Sequence, residues 1–280
     1  MTRPDGRLAF LGPPGTFSEE AALRYDPEAR LVAFHTISAA VAAVDRGDAD
    51  EAVVPIENSL EGAVTETLDI LIRDEQLFVR SEIVLPVEHL LLVRPGTQAD
   101  AIERIISHPQ SLAQCRGFVE KCYPEAQIEA ALSNSAAVEE MMKREATAAI
   151  GNRRSAELYG AEALAEGIQD RESNVTRFVV LSHEDHEPTG DDKTSVAFAF
   201  AMEDRPGLLV SALEEFSSRG INLSKIESRP SKEKLGVYVF LADLDGHRTE
   251  GPLAESLERV REKCSFFRIL GSYPRFREAP

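Results

Sequence analysis

The alternation of short apolar runs with amphipathic segments is the feature of this 280-residue sequence that most constrains its fold. Through residue 160, each apolar run has the length of one buried strand, and each segment between two runs has the spacing of a helix. The predicted strands are residues 8–12, 29–34, 51–56, 104–109, 127–132 and 147–151, and the predicted helices are residues 18–25, 37–47, 64–73, 111–122 and 135–144. This order predicts βα units on mostly parallel sheets.

Two segments divide this pattern into parts. Residues 77–94 are a long strand-rich run without a helix, which we interpret as a crossing between two α/β lobes. Residues 183–193 are polar, charged and interrupted by Pro188 and Gly190, so they predict a linker. The segments after the linker follow the ferredoxin-like order βαββαβ. The predicted organisation is a two-lobed domain over residues 1–182, the linker, and a second domain over residues 194–280.

Composition excludes several classes of partner and site. A net charge of −17 disfavours nucleic acid and anionic membranes as partners. Because no window holds 18 uncharged apolar residues and the first residues lack the pattern of a secretory signal or transit peptide, we expect a cytoplasmic protein. The three cysteines and six histidines lack metal-ligand spacing, so no metal site is predicted. Cys115 and Cys122, seven residues apart in one predicted helix, are expected to pack in a core.

Four polar clusters lie where predicted strands lead into the following segments. They span residues 12–18, 57–62, 107–115 and 132–137. Each offers hydroxyls, amides and backbone N–H groups of the kind that bind carboxylates at a helix start, and ligands of open α/β sheets collect at the carboxyl ends of strands. The simpler alternative is ordinary helix capping by one serine of each cluster: Ser18, Ser59, Ser111 and Ser135.

A fifth polar segment precedes the last strand of the first domain. In R-E-S-N-V-T-R-F-V-V-L-S, residues 171–182, an amide (Asn174), a hydroxyl (Thr176) and a cation (Arg177) stand at the mouth of an apolar strand. The alternative is a plain loop with Arg177 on the surface. Because dinucleotide, nucleotide-hydrolysis and esterase motifs are absent from the sequence, a cleft of hydroxyls and amides with one arginine suits a small dicarboxylate.

The motifs, taken in order, resemble those of a known enzyme family. G-P-P-G-T-F-S-E-E-A-A, V-V-P-I-E-N-S-L-E-G-A-V, I-S-H-P-Q-S-L-A-Q-C, S-N-S-A-A-V and S-N-V-T-R-F-V-V-L resemble the prephenate dehydratases, and P-G-L-L-V with E-S-R-P resembles their ACT regulatory domain. The resemblance runs from about residue 8 to 275. Leu208 departs from it, since many members carry Ala there, and so does Asn134, where a small hydroxyl residue is common.

This resemblance implies a fold and a function. The fold is an α/β catalytic region with two lobes, like a periplasmic binding protein, followed by a ferredoxin-like ACT domain. The implied reaction converts prephenate to phenylpyruvate with loss of CO2 and water and needs no cofactor. L-phenylalanine is implied as a feedback effector, and ACT pairing implies a homodimer or homotetramer. Two alternatives are an arogenate dehydratase and a non-enzymatic amino-acid sensor, which would need an arginine but no hydroxyl donor beside it.

The resemblance also assigns roles in the substrate site. Thr176 would donate to the leaving hydroxyl, Arg177 would hold a carboxylate, and Phe178 would pack beneath the site. Glu57 stays open, because a dianion would repel it and it would then hold Arg177 or a backbone amide. The other residues expected at the site are Asn58 and Gln114 as catalytic residues, and Thr16, Phe17, Ser18, Ser59, Gln110, Ser111, Ser133, Ser135 and Asn174 as substrate contacts.

An effector site is implied in the ACT domain. Gly207 would let a helix start approach the amino acid closely, the following amides would take its carboxylate, and Asn222 would accept its ammonium group. A bend formed by E-S-R-P would close the site, although the same tetrapeptide also fits an ordinary turn with Pro230 ending a strand. The expected effector residues are Gly207, Leu208, Leu209, Val210, Asn222, Leu223, Glu227, Ser228, Arg229 and Pro230.

Overall fold

A computed structural model describes residues 6–171, 173–200, 206–232 and 236–277 of the chain. By internal contacts the chain divides into two units. The first runs through Thr67 and resumes over Ile83–Phe178, and the second joins Leu68–Glu82 to the chain from Val179 onward. The domain boundaries at residues 182 and 194 stay a prediction. No helix among the described residues is both long and apolar enough to cross a membrane.

The first sheet is built from the beginning of the chain and one strand that returns much later. Its strands lie in the order β2-β1-β3-β11-β5, with the short β4 paired to β3, and β1 runs parallel to both β2 and β3. The elements are β1 (Arg7–Leu11), α1 (Phe17–Tyr25), β2 (Arg30–Phe34), α2 (Ile37–Asp45), β3 (Glu51–Asn58), β4 (Gly62–Ala63), α3 (Thr65–Arg73), β5 (Phe78–Pro86) and β11 (Val175–Ser182).

The second sheet uses the middle of the chain. Its strands lie in the order β10-β6-β9-β7-β8, with β7 parallel to β8 and β9 and with β6 antiparallel to β9. The elements are β6 (Leu90–Val93), a 3-10 turn (Ala99–Ala101), β7 (Arg104–Ser107), α4 (Pro109–Gln114), α5 (Arg116–Cys122), β8 (Gln127–Ala130), α6 (Asn134–Met141), β9 (Thr147–Gly151), α7 (Arg153–Tyr159) and β10 (Glu162–Ala165).

These two sheets confirm the predicted pair of α/β lobes. The chain leaves the first sheet after β5, enters the second at β6, and returns to the first through β11. The crossing predicted over residues 77–94 is therefore present as two strands separated only by residues 87–89. Apolar side chains such as Leu91, Ile105 and Ile150 form the buried core of the second lobe.

The third sheet confirms the ferredoxin-like order. Its strands lie antiparallel in the order β13-β14-β12-β15, and Phe198, Phe216 and Leu244 are fully buried in its core. The elements are β12 (Asp192–Ala199), α8 (Leu208–Ser217), β13 (Leu223–Pro230), β14 (Tyr238–Asp245), α9 (Gly251–Lys263) and β15 (Phe266–Pro274). The first of these strands begins two residues inside the predicted linker, where Asp192 pairs with Pro274.

One predicted helix is wrong in its extent. The segment 111–122 forms two helices, because the chain breaks at Cys115, where φ is −114° and ψ is 16°. The N–H of Gly117 donates to the carboxylate of Asp170 at 3.1 Å, which competes with helical hydrogen bonding at this point. The two cysteines consequently do not share a face. Cys115 is buried, which raises the pKa of its thiol to about 12, while Cys122 is exposed.

Gly271 gives a testable constraint on the second unit. Its φ is +151°, and a Cβ there would lie 2.7 Å from the backbone N of Val79 and would also collide with the Val79 carbonyl oxygen. We expect Gly271→Ala to lower the free energy of unfolding by more than Gly96→Ala, which carries a φ of +84° in open space. Gly96→Ala is the control, and it should lower the free energy of unfolding by about 1 kcal/mol through backbone strain alone. Overpacking against Val79 should add about 1–3 kcal/mol to this loss in Gly271→Ala. Equal losses in chemical denaturation would contradict the close approach.

Candidate active site

A cavity of about 510 Å³ lies between the two lobes of the first unit. Its size is within the range of small-molecule sites. Residues at or just after the carboxyl ends of β1, β3, β7 and β8 line it, and α1, α4 and α6 begin at its wall. This is the position at which open α/β sheets bind ligands, because strand ends and helix starts meet there.

Most residues predicted for the substrate site line this cavity. They come from both lobes and from the start of β11. They are Thr16, Phe17, Ser18, Asn58, Gln110, Ser111, Gln114, Ser133, Asn174, Thr176 and Phe178. The predicted residues outside its lining are Glu57, Ser59, Ser135 and Arg177.

Asn58 holds the hydroxyl of Thr176. The side-chain oxygen of Asn58 accepts from the backbone N–H groups of Leu60 and Glu61 at 2.9 and 3.0 Å, which fixes the orientation of the amide. Its nitrogen then donates to Thr176 Oγ1 at 2.9 Å and to Asn174 Oδ1 at 2.8 Å. Since Thr176 Oγ1 accepts this bond, the proton of its own hydroxyl is left to donate elsewhere.

The hydrogen-bonded chain continues to the second lobe. Asn174 donates through Nδ2 to Gln114 Oε1 at 3.0 Å, and His89 Nε2 lies 2.9 Å from the same oxygen. Because an amide oxygen only accepts, His89 carries its proton on Nε2. Asn58, Asn174, Gln114 and His89 thus form one continuous polar network along the cavity wall.

His89 was missed from the sequence, although it lines the cavity and is only 1% exposed. Its ring meets that of Phe17 edge-on, with the two centroids 6.0 Å apart. Burial lowers the pKa of His89, because a cationic ring loses its hydration, and the bond to Gln114 opposes this effect only in part. A single histidine within the apolar run of residues 84–93 was the available signal.

Arg177, which was expected to hold a substrate carboxylate, is not among the residues that line the cavity. Side chains alternate along a strand, and Thr176 and Phe178 of β11 line the cavity, so Arg177 between them points to the opposite face of the sheet. Its Nη1 lies 3.9 Å from Glu57 Oε2, and Glu57 is likewise absent from the lining. Arg177 is one of the two partners that were expected for Glu57.

Two predicted serines bind backbone groups beside the cavity instead of lining it. Ser59 Oγ donates to the carbonyl of Ser173 at 2.9 Å and accepts from the N–H of Val175 at 3.0 Å. Ser135 is fully buried, and its hydroxyl contacts the carbonyl oxygen of Pro14. Both hydroxyls are therefore engaged in joining segments of the protein.

Helix capping also differs from the simpler interpretation of the serine clusters. Thr16, His108 and Ser133 are the N-cap residues of α1, α4 and α6, each accepting through its side chain from an N–H of the first turn. Ser18, Ser111 and Ser135 lie inside the first turns, and no helix begins at Ser59. The helices start earlier than predicted because an acceptor was available one or more residues upstream.

Asn134 is a second residue whose role was missed. Its Oδ1 accepts from Ser111 Oγ at 2.9 Å and lies 3.1 Å from Ser107 Oγ, so it joins the start of α6 to α4 and to the end of β7. It also lines the cavity. The serine pair of the predicted third cluster therefore orients this amide.

The cavity wall has little formal charge. Among the described residues that line it, none is Lys or Arg, and Glu61 is the one carboxylate. Backbone donors lie at the starts of α1 and α6, because the first N–H groups of a helix have no intrahelical acceptor, and the first turn of α1 also carries Glu19 and Glu20. The wall thus offers neutral donors from backbone and side chains at two separate helix ends.

The predicted effector residues are distributed over α8 and β13. Gly207 precedes α8 with a φ of +91°, and Leu208, Leu209 and Val210 form the first turn. The expected E-S-R-P bend is wrong, because these residues are an extended part of β13 paired with β14, and the strand ends at Pro230. Asn222 donates to Asp245 Oδ2 at 3.3 Å, and Leu209 and Leu223 pack against the domain core. Residues 201–205, which precede P-G-L-L-V, lie outside the described residues.

Arg229 has a partner within the second unit. It is 8% exposed, and its Nη2 contacts Asp69 Oδ1 of α3 at 2.7 Å. Lys232 Nζ contacts the other oxygen of the same carboxylate at 2.5 Å. Asp69 therefore receives two cations from the end of β13 and the residues that follow it.

Comparison with known proteins places this geometry in a family. The family model described as prephenate dehydratase matches residues 8–186, and the model of the ACT domain matches residues 195–262. The chain belongs to the prephenate dehydratase family. The first match covers the cavity and its polar network, and the second covers most of the ferredoxin-like domain.

Named relatives of this prephenate dehydratase family chain cover nearly all of it. A bifunctional chorismate mutase/prephenate dehydratase from Aquifex aeolicus is 40% identical over 270 residues, which cover 96% of this chain and 74% of that protein. The chloroplastic arogenate dehydratase 5 of Arabidopsis thaliana is 40% identical over 286 residues, or 96% of this chain and 67% of that protein. A crystal structure of prephenate dehydratase from Arthrobacter aurescens in complex with L-Phe superposes with a TM-score of 0.87 at 39% identity, covering 96% of this chain and 90% of that one.

The buried ring of His89 predicts a pH dependence of stability. Because its pKa is lowered in the folded state, the unfolded chain takes up this proton first as the pH falls. The contribution of His89 is present above the ordinary histidine pKa of about 6.5 and is lost below it, with a slope of at most about 1.4 kcal/mol per pH unit. His89→Gln should therefore lose less stability than the wild type between about pH 7.5 and 5.5 in thermal unfolding.

A histidine on the surface provides the control for this measurement. His35 is exposed, and His35→Gln should keep the wild-type difference between the two pH values. If His89→Gln and the wild type lose the same stability on acidification, His89 is not the group that resists protonation.

Proposed function

We propose that this chain converts prephenate to phenylpyruvate with loss of CO2 and water, without a cofactor. The observation that carries the proposal is the hydroxyl of Thr176, which lines the cavity and accepts a hydrogen bond from Asn58. That bond orients the oxygen and leaves the hydroxyl proton to donate into the cavity. A group that stabilises a departing oxygen needs this arrangement.

The reaction places opposite demands on the two ends of the ring. The bond between the ring and its carboxylate breaks, its electron pair enters the ring, and the hydroxyl across the ring leaves. The departing oxygen gains negative charge, leaves as hydroxide and takes a proton from solvent water, while the ring becomes aromatic. Thr176 donates to this oxygen and stabilises its charge; the hydroxyl is too weak an acid to ionise itself.

The ring carboxylate has the opposite requirement, because it loses its charge as CO2 forms. A cation bound to it would stabilise the ground state more than the transition state and would slow the reaction. The cavity wall supports the proposal on this point, since its described lining has no Lys or Arg. Arg177, which faces away with Glu57, is accordingly assigned to the support of β11 and not to the substrate.

The side-chain carboxylate of prephenate keeps its charge throughout and needs a binding site. We assign it to the helix starts at the cavity, where Thr16 and Ser133 cap α1 and α6 and the first backbone N–H groups are available. Neutral donors of this kind bind a carboxylate without a competing positive charge near the departing CO2.

Four residues act through Thr176 or through one another. Asn58 orients the hydroxyl, Asn174 receives the second hydrogen of Asn58, and Gln114 and His89 hold Asn174. We propose these as positioning residues whose loss displaces the donor. The alternative is that these four residues only satisfy buried polar groups. That alternative gives no functional role to the bond between Asn58 and Thr176.

Arogenate dehydration is a second candidate. Arogenate carries an ammonium group where prephenate has a keto oxygen, and the exposed carboxylate of Glu61 lines the cavity and would attract it. The two candidates are separated by incubating the protein with each substrate and following phenylpyruvate and phenylalanine. Turnover of neither substrate would reject both.

Removal of the Thr176 hydroxyl should chiefly reduce kcat. Thr176→Val has nearly the same shape and no donor, and we expect kcat to fall about 100-fold or more, as for a lost hydrogen bond to a departing oxygen. Thr176→Ser keeps the hydroxyl and should retain most of the activity. Steady-state kinetics of both variants provide the measurement, and a fall of only a few-fold in Thr176→Val would exclude the donor role.

We further propose L-phenylalanine as an effector at the start of α8. The supporting features are the left-handed Gly207, which leaves room beside the helix start, and the N–H groups of the first turn, which suit a carboxylate. Val210 is 57% exposed there and offers apolar surface to an aromatic side chain. A cytoplasmic homodimer or homotetramer is proposed with it, since β13 lies at the edge of its sheet and exposes Ile226.

The ion pairs of Asp69 offer a route from this domain toward the substrate site. Asp69 lies on α3, which follows directly after Gly62, Ala63 and Val64 of the cavity wall. Arg229 of the E-S-R-P segment is bound to Asp69, so we assign it to transmission of the effector signal and not to effector binding. A shift of β13 would be transmitted to α3 through the contact between Arg229 and the carboxylate of Asp69.

Loss of the Asp69 charge should weaken regulation and spare catalysis. We expect Asp69→Asn to raise the L-phenylalanine concentration for half-inhibition at least about 5-fold, the lower end of typical allosteric coupling, with little change in uninhibited turnover. Glu66→Gln is the control, because it removes a carboxylate from the same helix that instead binds Ser38. An unchanged half-inhibition concentration in Asp69→Asn would rule out this route.

A further inference from the structure

One apolar side chain in the cavity wall is almost fully exposed. Leu132 lines the cavity and is 96% exposed, whereas the next most exposed large apolar residue of the described chain, Val210, is 57% exposed. It follows β8 and precedes the cap of α6. An isolated exposed leucine on a protein surface needs no explanation, but this one stands at a ligand cavity.

The backbone on both sides of Leu132 is held in place. The N–H of Ala131 donates to the carbonyl of Ser107 at 2.8 Å, and the hydroxyl of Ser133 accepts from the N–H of Ala136 at 3.0 Å. Leu132 therefore does not belong to a frayed segment. Its exposure follows from a fixed turn that directs the chain into α6.

The two lobes contribute different chemistry to the cavity. The first lobe and its adjoining segments supply both polar and apolar side chains, and the apolar ones include Phe17, Val64, Val87 and Phe178. The described residues of the second lobe supply polar side chains with Leu132 as the one large apolar exception; the polar ones are His108, Gln110, Ser111, Gln114, Ser133, Asn134 and Asn152. A ligand with a carbon ring would find apolar contact on the second lobe at this residue.

We propose that Leu132 packs against the six-membered ring of the substrate and is a specificity-determining residue for ring-bearing acids. This inference rests on the proposed function, which supplies the ring. The polar groups of the cavity can form hydrogen bonds with carboxylates and with a hydroxyl. A short aliphatic oxo acid could form many of the same bonds. Contact between Leu132 and the ring favours ring-bearing acids, because short aliphatic acids have no ring to make this contact.

The effect should be on binding and not on the chemical step. Covering most of a leucine side chain raises affinity by about 10-fold. Because the ring keeps its carbon skeleton through the reaction, the contact is similar in ground and transition states. Loss of the contact should consequently raise KM about 10-fold and leave kcat within about 2-fold.

Three variants measure this expectation. Leu132→Ser should show the rise in KM, and Leu132→Met, which keeps an apolar chain of similar volume, should stay near the wild type. Ile128→Ser is the matched control, because Ile128 is 50% exposed on β8 and does not line the cavity. An unchanged KM in Leu132→Ser, in a protein that turns over its substrate, would overturn the inference and leave the proposed function standing.

A binding measurement separates the two failures further. The chain contains no tryptophan, so Leu132→Trp introduces a single tryptophan, which can be excited selectively at this position. Its emission should shift to shorter wavelength on addition of phenylpyruvate, the ring-bearing product, and should not shift with pyruvate. Ile128→Trp should respond to neither. The absence of a shift with phenylpyruvate, or an equal shift with pyruvate, would show that Leu132 does not contact a ring, whatever the turnover assay gives.

Discussion

The amide of Asn58 is the interaction on which the candidate site depends. Its oxygen is occupied by two backbone N–H groups, so its nitrogen has to face Thr176 and Asn174. One side chain thereby fixes a turn, the direction of a hydroxyl and the first link to the second lobe. An aspartate at this position would accept at every oxygen and would reverse the polarity of the link to Thr176.

The network that begins at Asn58 follows the two segments that join the lobes. His89 stands on the outgoing segment, between β5 and β6, and Asn174 stands on the returning one, just before β11. Gln114 connects these residues by accepting from both. A movement of one lobe relative to the other would therefore alter the residues that orient the hydroxyl donor. The hydrogen bonds that link the lobes at the cavity are the same ones that orient Thr176.

Much of this site could be predicted from the sequence, because polar clusters at strand ends are short and local. Asn58, Gln114 and Thr176 all belong to such clusters and all line the cavity. Arg177 was expected at the substrate, whereas strand alternation sets it on the face opposite Thr176. The role of His89 could not be predicted from a local sequence pattern, because its partner Gln114 is 25 residues away and only the fold brings the two side chains together. Helix starts were misplaced because several side-chain acceptors, hydroxyls and the imidazole of His108, competed for the cap. The contact of α3 with E-S-R-P joins residues 160 positions apart, which no local pattern indicates.

The discontinuity of the second unit bears on how the chain is made. Leu71, Leu77 and Val79 are fully or almost fully buried in that unit, yet they leave the ribosome long before Arg268 and Gly271, which contact Leu77 and Val79. The partners of the apolar residues in Leu68–Glu82 are synthesised only in about the last third of translation. During that interval they are a surface for aggregation and for chaperones, so production of this protein is expected to depend on elongation and chaperone supply more than a contiguous two-domain layout would suggest.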